Sequence, residues 1–133
     1  MIPALNDDGH LPPGVHLATL TEVATRFGEA SELRQVEMES LGWLVDLARR
    51  AGVQRLVING SFTTDKLEPN DVDCLLLAGP EYPRDEGAAV ELQAGLPFIE
   101  LKLVRSDQFD LFIDHIYATD RDNVPKGMIE VLL

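Results

Sequence analysis

Two short apolar segments constrain the fold of this chain more than any other feature. Residues 53–59 contain the run Leu-Val-Ile and end at Gly60, a pattern that predicts a β-strand followed by a turn. Residues 72–78 are apolar at nearly every position, as in strands that are covered on both faces of a sheet. The second segment is therefore expected at a central position of the sheet.

Asp71 and Asp73 stand one residue apart at the start of the second segment. Residues i and i+2 of a strand project to one face, so these two carboxylates are expected side by side. Neighbouring carboxylates repel each other unless a proton or a metal ion relieves them. Magnesium usually takes one or two carboxylates and fills its other positions with water and phosphate oxygens. The pair therefore predicts a metal site.

A purely structural interpretation of the pair is also open. Asp71 follows Pro69-Asn70 and can cap a turn. Asp73 would then be an unpaired carboxylate in a central strand, which costs free energy.

The other reactive residue types form no recognisable site. Cys74 is the only cysteine, and its apolar neighbours predict a buried side chain rather than a nucleophile. The histidines His10, His16 and His115 are scattered and have no metal-ligand spacing.

Composition limits the class of protein. With 133 residues, 45% of them hydrophobic, the chain is expected to form one domain over residues 1–133. The formal charge of −12 argues against nucleic acid as the main partner, but it is compatible with a free nucleotide that brings its own metal. No apolar run reaches the roughly 18 residues of a membrane span. The N-terminus lacks an apolar signal region, so a cytoplasmic location is expected.

The remaining periodicity predicts an α/β (α+β) fold with about four strands flanked by helices. Helices are expected over residues 17–27, 31–52, 85–94 and 107–119, and two further strands over 97–104 and 127–133. Ser31 and Gly52 are expected to cap the long helix, and Trp43 is expected to pack against the core. Residues 109–113 read alone look like a strand, but the wider spacing favours a helix with Asp110 on its polar side.

Gly60-Ser61, nine intervening residues and then Asp71-Val72-Asp73 resemble the signature of the DNA polymerase β-like nucleotidyltransferase superfamily. In that signature Gly-Ser follows a strand, Asp-x-Asp opens the next strand, and a third acid lies on a later one. The wider chain is similar to a family of short bacterial proteins of uncharacterised function within the superfamily. The similar segments are Asp8 to Gly14, Gly60 to Lys66, Pro69 to Asp73 and Lys126 to Ile129.

The resemblance implies a nucleotidyltransferase-like mixed sheet and assigns roles to its acids. Asp71 and Asp73 would hold Mg²⁺ or Mn²⁺. Glu100, on the predicted third strand, would be the third catalytic and metal-binding acid, although it is one methylene longer than the usual Asp. Asp110 is the other candidate for that role if its segment is a strand.

The resemblance also implies a nucleotide site. Gly60 would let the backbone approach a phosphate closely, and Ser61 would offer its hydroxyl and amide. Lys66 would neutralise phosphate charge, or it is an ordinary surface lysine. The implied function is Mg²⁺-dependent transfer of a nucleoside monophosphate from an NTP to an unknown acceptor, such as a protein. The alternative is a catalytically inactive interaction module, for example one that resembles an antitoxin.

Overall fold

A computed structural model describes residues 1–133 of the chain, which form one mixed sheet with helices on both faces. The α/β class predicted from the sequence is confirmed. The sheet has five strands rather than the four that were predicted. In chain order they are β1 (Gly14–Ala18), β2 (Val53–Asn59), β3 (Val72–Ala78), β4 (Ile99–Val104) and β5 (Gly127–Val131).

The strand order across the sheet is β1-β5-β2-β3-β4. Strands β2 and β3 are antiparallel neighbours in the interior of the sheet, and β4 runs parallel to β3 at one edge. The C-terminal strand β5 inserts between β1 and β2, parallel to the first and antiparallel to the second. The first residues of β3, β4 and β5 and the last residue of β2 therefore lie at the same end of the sheet.

Four α-helices cover the sheet unequally. Helices α1 (Leu20–Phe27), α2 (Glu32–Ala51) and α3 (Glu86–Ala94) bury the larger apolar core against one face. The other face is covered only by α4 (Ser106–Leu111) and the π-helical turn Phe112–Ile116 that continues it. The smaller core on this side consists of Val57, Leu75, Leu77, Phe109 and Met128. The short cover leaves one end of this face open.

The ends of the two N-terminal helices follow the chemistry of their caps. Thr19 and Glu22 form a reciprocal capping box at the start of α1. The Ser31 hydroxyl accepts a hydrogen bond from the backbone N–H of Arg34, and Gly52 ends α2 in the left-handed conformation at φ 85°. Both caps of α2 match the sequence prediction.

Several predicted boundaries are wrong. The helix predicted from residue 17 begins at Leu20, because residues 14–18 form β1 along the edge of β5. The third predicted strand begins at Ile99 rather than at residue 97. The segment 107–119 is helical as predicted, but it changes to a π turn at Phe112 and ends at Ile116.

The prediction that Trp43 packs against the core is wrong. Trp43 lies on α2 with about half of its surface exposed, so it is not a core residue. Cys74 is buried in β3, as predicted. None of the helices combines the length and apolar character that crossing a membrane requires.

Candidate functional site

Three carboxylates meet at the open end of the sheet. Asp73 and Glu100 are register partners on the parallel strands β3 and β4, so their side chains are neighbours on the same face. Asp71 lies one residue before β3. Each of the three contributes a carboxylate oxygen, and these oxygens lie within 4.8 Å of one another. The structure thus brings together the three acids that the sequence nominated, and their spacing can hold a metal ion.

No protein cation forms a direct ion pair with this cluster. None of the salt bridges in the structure involves Asp71, Asp73 or Glu100. Burial raises the pKa of Asp73 to about 7, with further contributions from its hydrogen bond to Glu100 and from the negative charge of Asp71. A bound cation would remove this repulsion.

Asn59 adds an acceptor to the same row of side chains. It is the last residue of β2, it pairs with Asp73, and it is 5% exposed. Its Oδ1 atom is buried and has no hydrogen-bond partner within the protein. The row from Asn59 through Asp73 to Glu100 therefore presents oxygen acceptors without matching donors. A hydrated divalent cation provides the missing positive charge and the missing donors.

Gly60 forms the floor beside this row. Its φ of 80° lies in the left-handed region, and a Cβ atom built on it would collide with Oδ2 of Asp73. A side chain at this position would strain the backbone and would have to displace the Asp73 carboxylate. The glycine that the sequence nominated for backbone approach thus lies against the acid cluster itself.

The cluster forms one wall of a polar cleft of about 780 Å³. Ser61 and Lys66, the other two residues nominated for nucleotide binding, line the same cleft together with Gly60. Its remaining lining residues are His10, Asn59, Thr64, Asn70, Ile116, Tyr117, Thr119, Asp120, Arg121 and Lys126. The three acids and the three residues nominated for nucleotide binding therefore line one shared space.

A model of DUF6932, a family of unknown function, matches residues 3–132. The chain belongs to this family. No curated protein and no solved structure matches the chain. The matched span contains the complete acid cluster and every residue of the cleft, so this site is part of the DUF6932 domain.

The basic residues of this DUF6932 site were largely missed by the sequence analysis. Lys126 immediately precedes β5, and burial lowers the pKa of its ammonium group although Asp73 and Asp120 act in the opposite direction. Arg121 lies in the preceding loop and lines the same cleft. Neither residue, nor Lys66, forms a salt bridge. These three cations are therefore available to an anionic ligand.

Two further contacts shape the cleft. The His10 ring lies 3.2 Å from the Asp120 carboxylate, which joins the N-terminal segment to the loop before β5. A hydrogen bond from the Val124 N–H is the main reason that the pKa of Asp120 lies below its usual value. Burial raises the pKa of the Tyr117 hydroxyl to about 12, and the nearby charges of Asp73 and Glu100 act in the same direction.

The alternative third acid, Asp110, and two other reactive residues lie outside the site. Asp110 is exposed on α4 and does not line the cleft, so Glu100 is the third acid of the cluster. Burial raises the pKa of the Cys74 thiol, which keeps it protonated. His16 bonds to the Pro12 carbonyl at 2.7 Å. A separate depression of about 330 Å³ between α3 and β4 is lined by no titratable side chain.

Proposed function

We propose that this protein is a Mg²⁺-dependent nucleotidyltransferase that moves a nucleoside monophosphate from an NTP to an acceptor hydroxyl. One observation carries the proposal: three carboxylates within 4.8 Å of one another, none of them in a salt bridge, share a cleft with three cations that form no salt bridge either. A metal bound to the acids and a polyphosphate bound to the cations would neutralise both halves of the cleft. This arrangement suits a metal–triphosphate complex better than either component alone.

The acids Asp71, Asp73 and Glu100 would hold Mg²⁺ or Mn²⁺, and the amide oxygen of Asn59 would accept from a water on the ion. A divalent ion in such a site neutralises developing charge and polarises the phosphoryl oxygens. Because these ligands are all oxygen atoms, the site favours hard cations over Zn²⁺ or Cu²⁺.

The triphosphate would lie along the opposite side of the cleft. Ser61 would donate its hydroxyl to a phosphate oxygen, and Lys66, Arg121 and Lys126 would neutralise the chain. The cleft volume of about 780 Å³ falls within the range of small-molecule and cofactor sites. Tyr117 and Ile116 are the only large apolar side chains on the cleft wall, and they would contact the base or ribose.

In the transfer itself, the oxygen of the acceptor hydroxyl attacks the α-phosphorus in line with the leaving group. A new P–O bond forms to the acceptor, the bond between the α-phosphorus and the bridging oxygen breaks, and pyrophosphate leaves. The acceptor proton passes to the Glu100 carboxylate, which is exposed on the edge strand β4 and open to an approaching acceptor.

The direct test is incubation with labelled NTPs, Mg²⁺ or Mn²⁺, and a lysate that supplies acceptors. We expect the wild type to label an acceptor, and Asp71→Ala to lose this labelling. Asp110→Asn, which changes an exposed acid outside the cleft, is the matched control and should label normally. Failure of every NTP to label anything, or equal labelling by wild type and Asp71→Ala, would refute the enzymatic proposal.

A catalytically inactive nucleotide-binding module is the second candidate. It is favoured by Glu100, because its exposed and longer side chain is less firmly positioned than an aspartate in the row would be. Binding of Mn²⁺ and NTP to the wild type, without transfer to any acceptor, would support this alternative.

A further inference from the structure

Arg34 is a buried cation that no local sequence pattern connects to the site. It lies in the first turn of α2, is 2% exposed, and does not line the cleft. Its guanidinium group contacts the backbone of the segment 60–67, and Ser61, Thr64 and Lys66 of that segment line the cleft. Its guanidinium group lies 5.1 Å from the centre of the Phe62 ring.

All five N–H donors of this guanidinium are used, and all of them bind backbone carbonyls. Nη1 donates to Phe27 at 2.9 Å and to Phe62 at 2.8 Å. Nη2 donates to Thr64 at 2.9 Å and to Lys66 at 2.5 Å, and Nε donates to Lys66 at 3.0 Å. The Ser61 carbonyl is also within 3.4 Å of Nη2.

The segment has little other regular structure to fix its shape. A short 3₁₀ turn covers Gly60–Thr63, and beyond it the chain runs as a polar connection to β3. Four of the five carbonyls that Arg34 contacts belong to this segment, at positions 61, 62, 64 and 66. Arg34 therefore helps to fix the backbone conformation of the segment through these hydrogen bonds.

We infer that Arg34 is the positioning residue of the phosphate-binding half of the site. By fixing these carbonyls, it sets where the side chains of Ser61 and Lys66 stand relative to the acid cluster. The identity of the ligand in this inference rests on the proposed function. The positioning role of Arg34 rests on its hydrogen bonds alone. Asp73 and Glu100 are held by β3 and β4, and Asp71 lies directly before β3, so Arg34 acts mainly on the other half of the cleft.

Arg34→Lys is the sharpest variant, because a lysine keeps the positive charge but offers three donors from one atom. It leaves some of the carbonyls without a partner. The matched control is Arg55→Lys. The Arg55 guanidinium also makes several hydrogen bonds, to the Glu130 carboxylate, but it does not line the cleft.

The probes are Mn²⁺ alone and inorganic triphosphate in the presence of Mn²⁺, both titrated into the full-length protein. For Arg34→Lys we expect Mn²⁺ affinity to stay near the wild-type value and triphosphate affinity to fall about tenfold or more. Hydrogen exchange at the Thr64 and Asp65 amides, which bond to the Ser61 and Gly9 carbonyls, should accelerate. Arg55→Lys should change none of these three quantities.

Two results would overturn the inference. One is wild-type triphosphate binding and wild-type exchange at both amides in Arg34→Lys. The other is an equal loss of Mn²⁺ and triphosphate affinity with faster exchange throughout the protein, which indicates a general structural role. If the wild type binds no triphosphate, the proposed function fails, and the exchange at Thr64 and Asp65 still decides whether Arg34 orders the segment.

A double variant keeps the test valid if Arg34→Lys does not fold. Glu37 lies one turn away on α2, fully buried, with neither carboxylate oxygen hydrogen-bonded. Arg34→Gln combined with Glu37→Gln removes both buried charges together, so no uncompensated charge remains in the core. The same selective loss of triphosphate affinity is expected. Retention of wild-type affinity by the folded double variant would contradict the inference.

Discussion

Gly60 lies directly against the Asp73 carboxylate, and the addition of one methyl group at Gly60 tests this contact. Two effects disfavour a side chain at Gly60. Its φ is left-handed, and an added Cβ atom would collide with the Asp73 carboxylate. We expect Gly60→Ala to displace the carboxylate and to abolish Mn²⁺ binding, measured by calorimetric titration.

Gly95 supplies the control for this substitution. It also has a positive φ, 88°, but no atom lies within 4 Å of a Cβ built there. Both variants should lose about 1–3 kcal/mol of stability from backbone strain. Only Gly60→Ala should lose the metal, and equal Mn²⁺ affinity in the two variants would contradict the described contact.

The buried carboxyl group of Glu37 should make the stability of the protein depend on pH. Burial raises its pKa to about 7 in the folded protein, and the charge of Arg34 only partly offsets this effect. Because the folded-state pKa lies above the ordinary glutamate value of 4.5, the favourable contribution is complete below about pH 4.5 and is lost as pH rises through 7. The contribution of Glu37 to the free energy of unfolding of the metal-free protein should therefore fall by roughly 3 kcal/mol between acidic and mildly alkaline pH.

Glu37→Gln should flatten this slope, although Asp73 keeps its own share because its pKa is raised in the same direction. The measurement is urea unfolding at a series of pH values. Glu39→Gln, on the exposed side of the same helix, should leave the wild-type slope unchanged. A slope in Glu37→Gln identical to that of the wild type would rule out this explanation.

At the scale of elements, α4 is held to the sheet mainly by Phe109. This ring is fully buried in the smaller core, beneath the segment that carries the apolar wall of the cleft. Phe109→Ala should lower the free energy of unfolding by about 3–5 kcal/mol, since it leaves a cavity that the short helix cannot fill.

Leu111, on the same helix and half exposed, is the comparison for Phe109. Leu111→Ala should change the stability by no more than about 0.5 kcal/mol in denaturant unfolding. Similar losses in the two variants would mean that α4 does not depend on this anchor.

The elements differ in how far the sequence determines them. The ends of α2 follow from Ser31 and Gly52, because capping chemistry is local. Strand β1 could not be predicted, because its five residues gain their pairing only from β5, more than a hundred residues later. Trp43 has the apolar character of a core residue, and only the packing of α2 against its neighbours leaves it half exposed.

The same distinction applies to the site. Asp71 and Asp73 were identified because the strand period places residues i and i+2 on one face, whereas the roles of Gly60 and Glu100 came from the family resemblance. Lys126 joins them only because β5 runs antiparallel to β2, which brings its first residues beside the last residues of β2. No local pattern in the loop before β5 encodes that placement.

At the scale of the whole molecule, the chain is acidic, and three of its carboxylates repel one another at one end of the sheet. With a net charge of −12 and no cation on the acid cluster, the folded protein should gain stability from a divalent ion. Mn²⁺ at a hundredfold excess over its Kd should add about 2.7 kcal/mol to the free energy of unfolding. Thermal unfolding with increasing Mn²⁺ measures this gain as a rise in Tm.

Asp73→Asn should remove the Mn²⁺-dependent rise and should make the metal-free protein more stable above neutral pH, because it relieves the repulsion. Asp110→Asn, an exposed change on α4, should retain the full response to Mn²⁺. A Tm rise in Asp73→Asn equal to that of the wild type would place the ion elsewhere.

The central claim is that the three carboxylates bind one or two divalent ions that carry a triphosphate. A crystal structure with Mn²⁺ and a non-hydrolysable NTP, using the anomalous signal of manganese, tests it most directly. The account predicts a manganese peak bonded to oxygens of Asp71, Asp73 and Glu100, with the phosphates reaching Ser61 and Lys66. Manganese or nucleotide bound only away from this cleft, with the carboxylates unliganded, would contradict it.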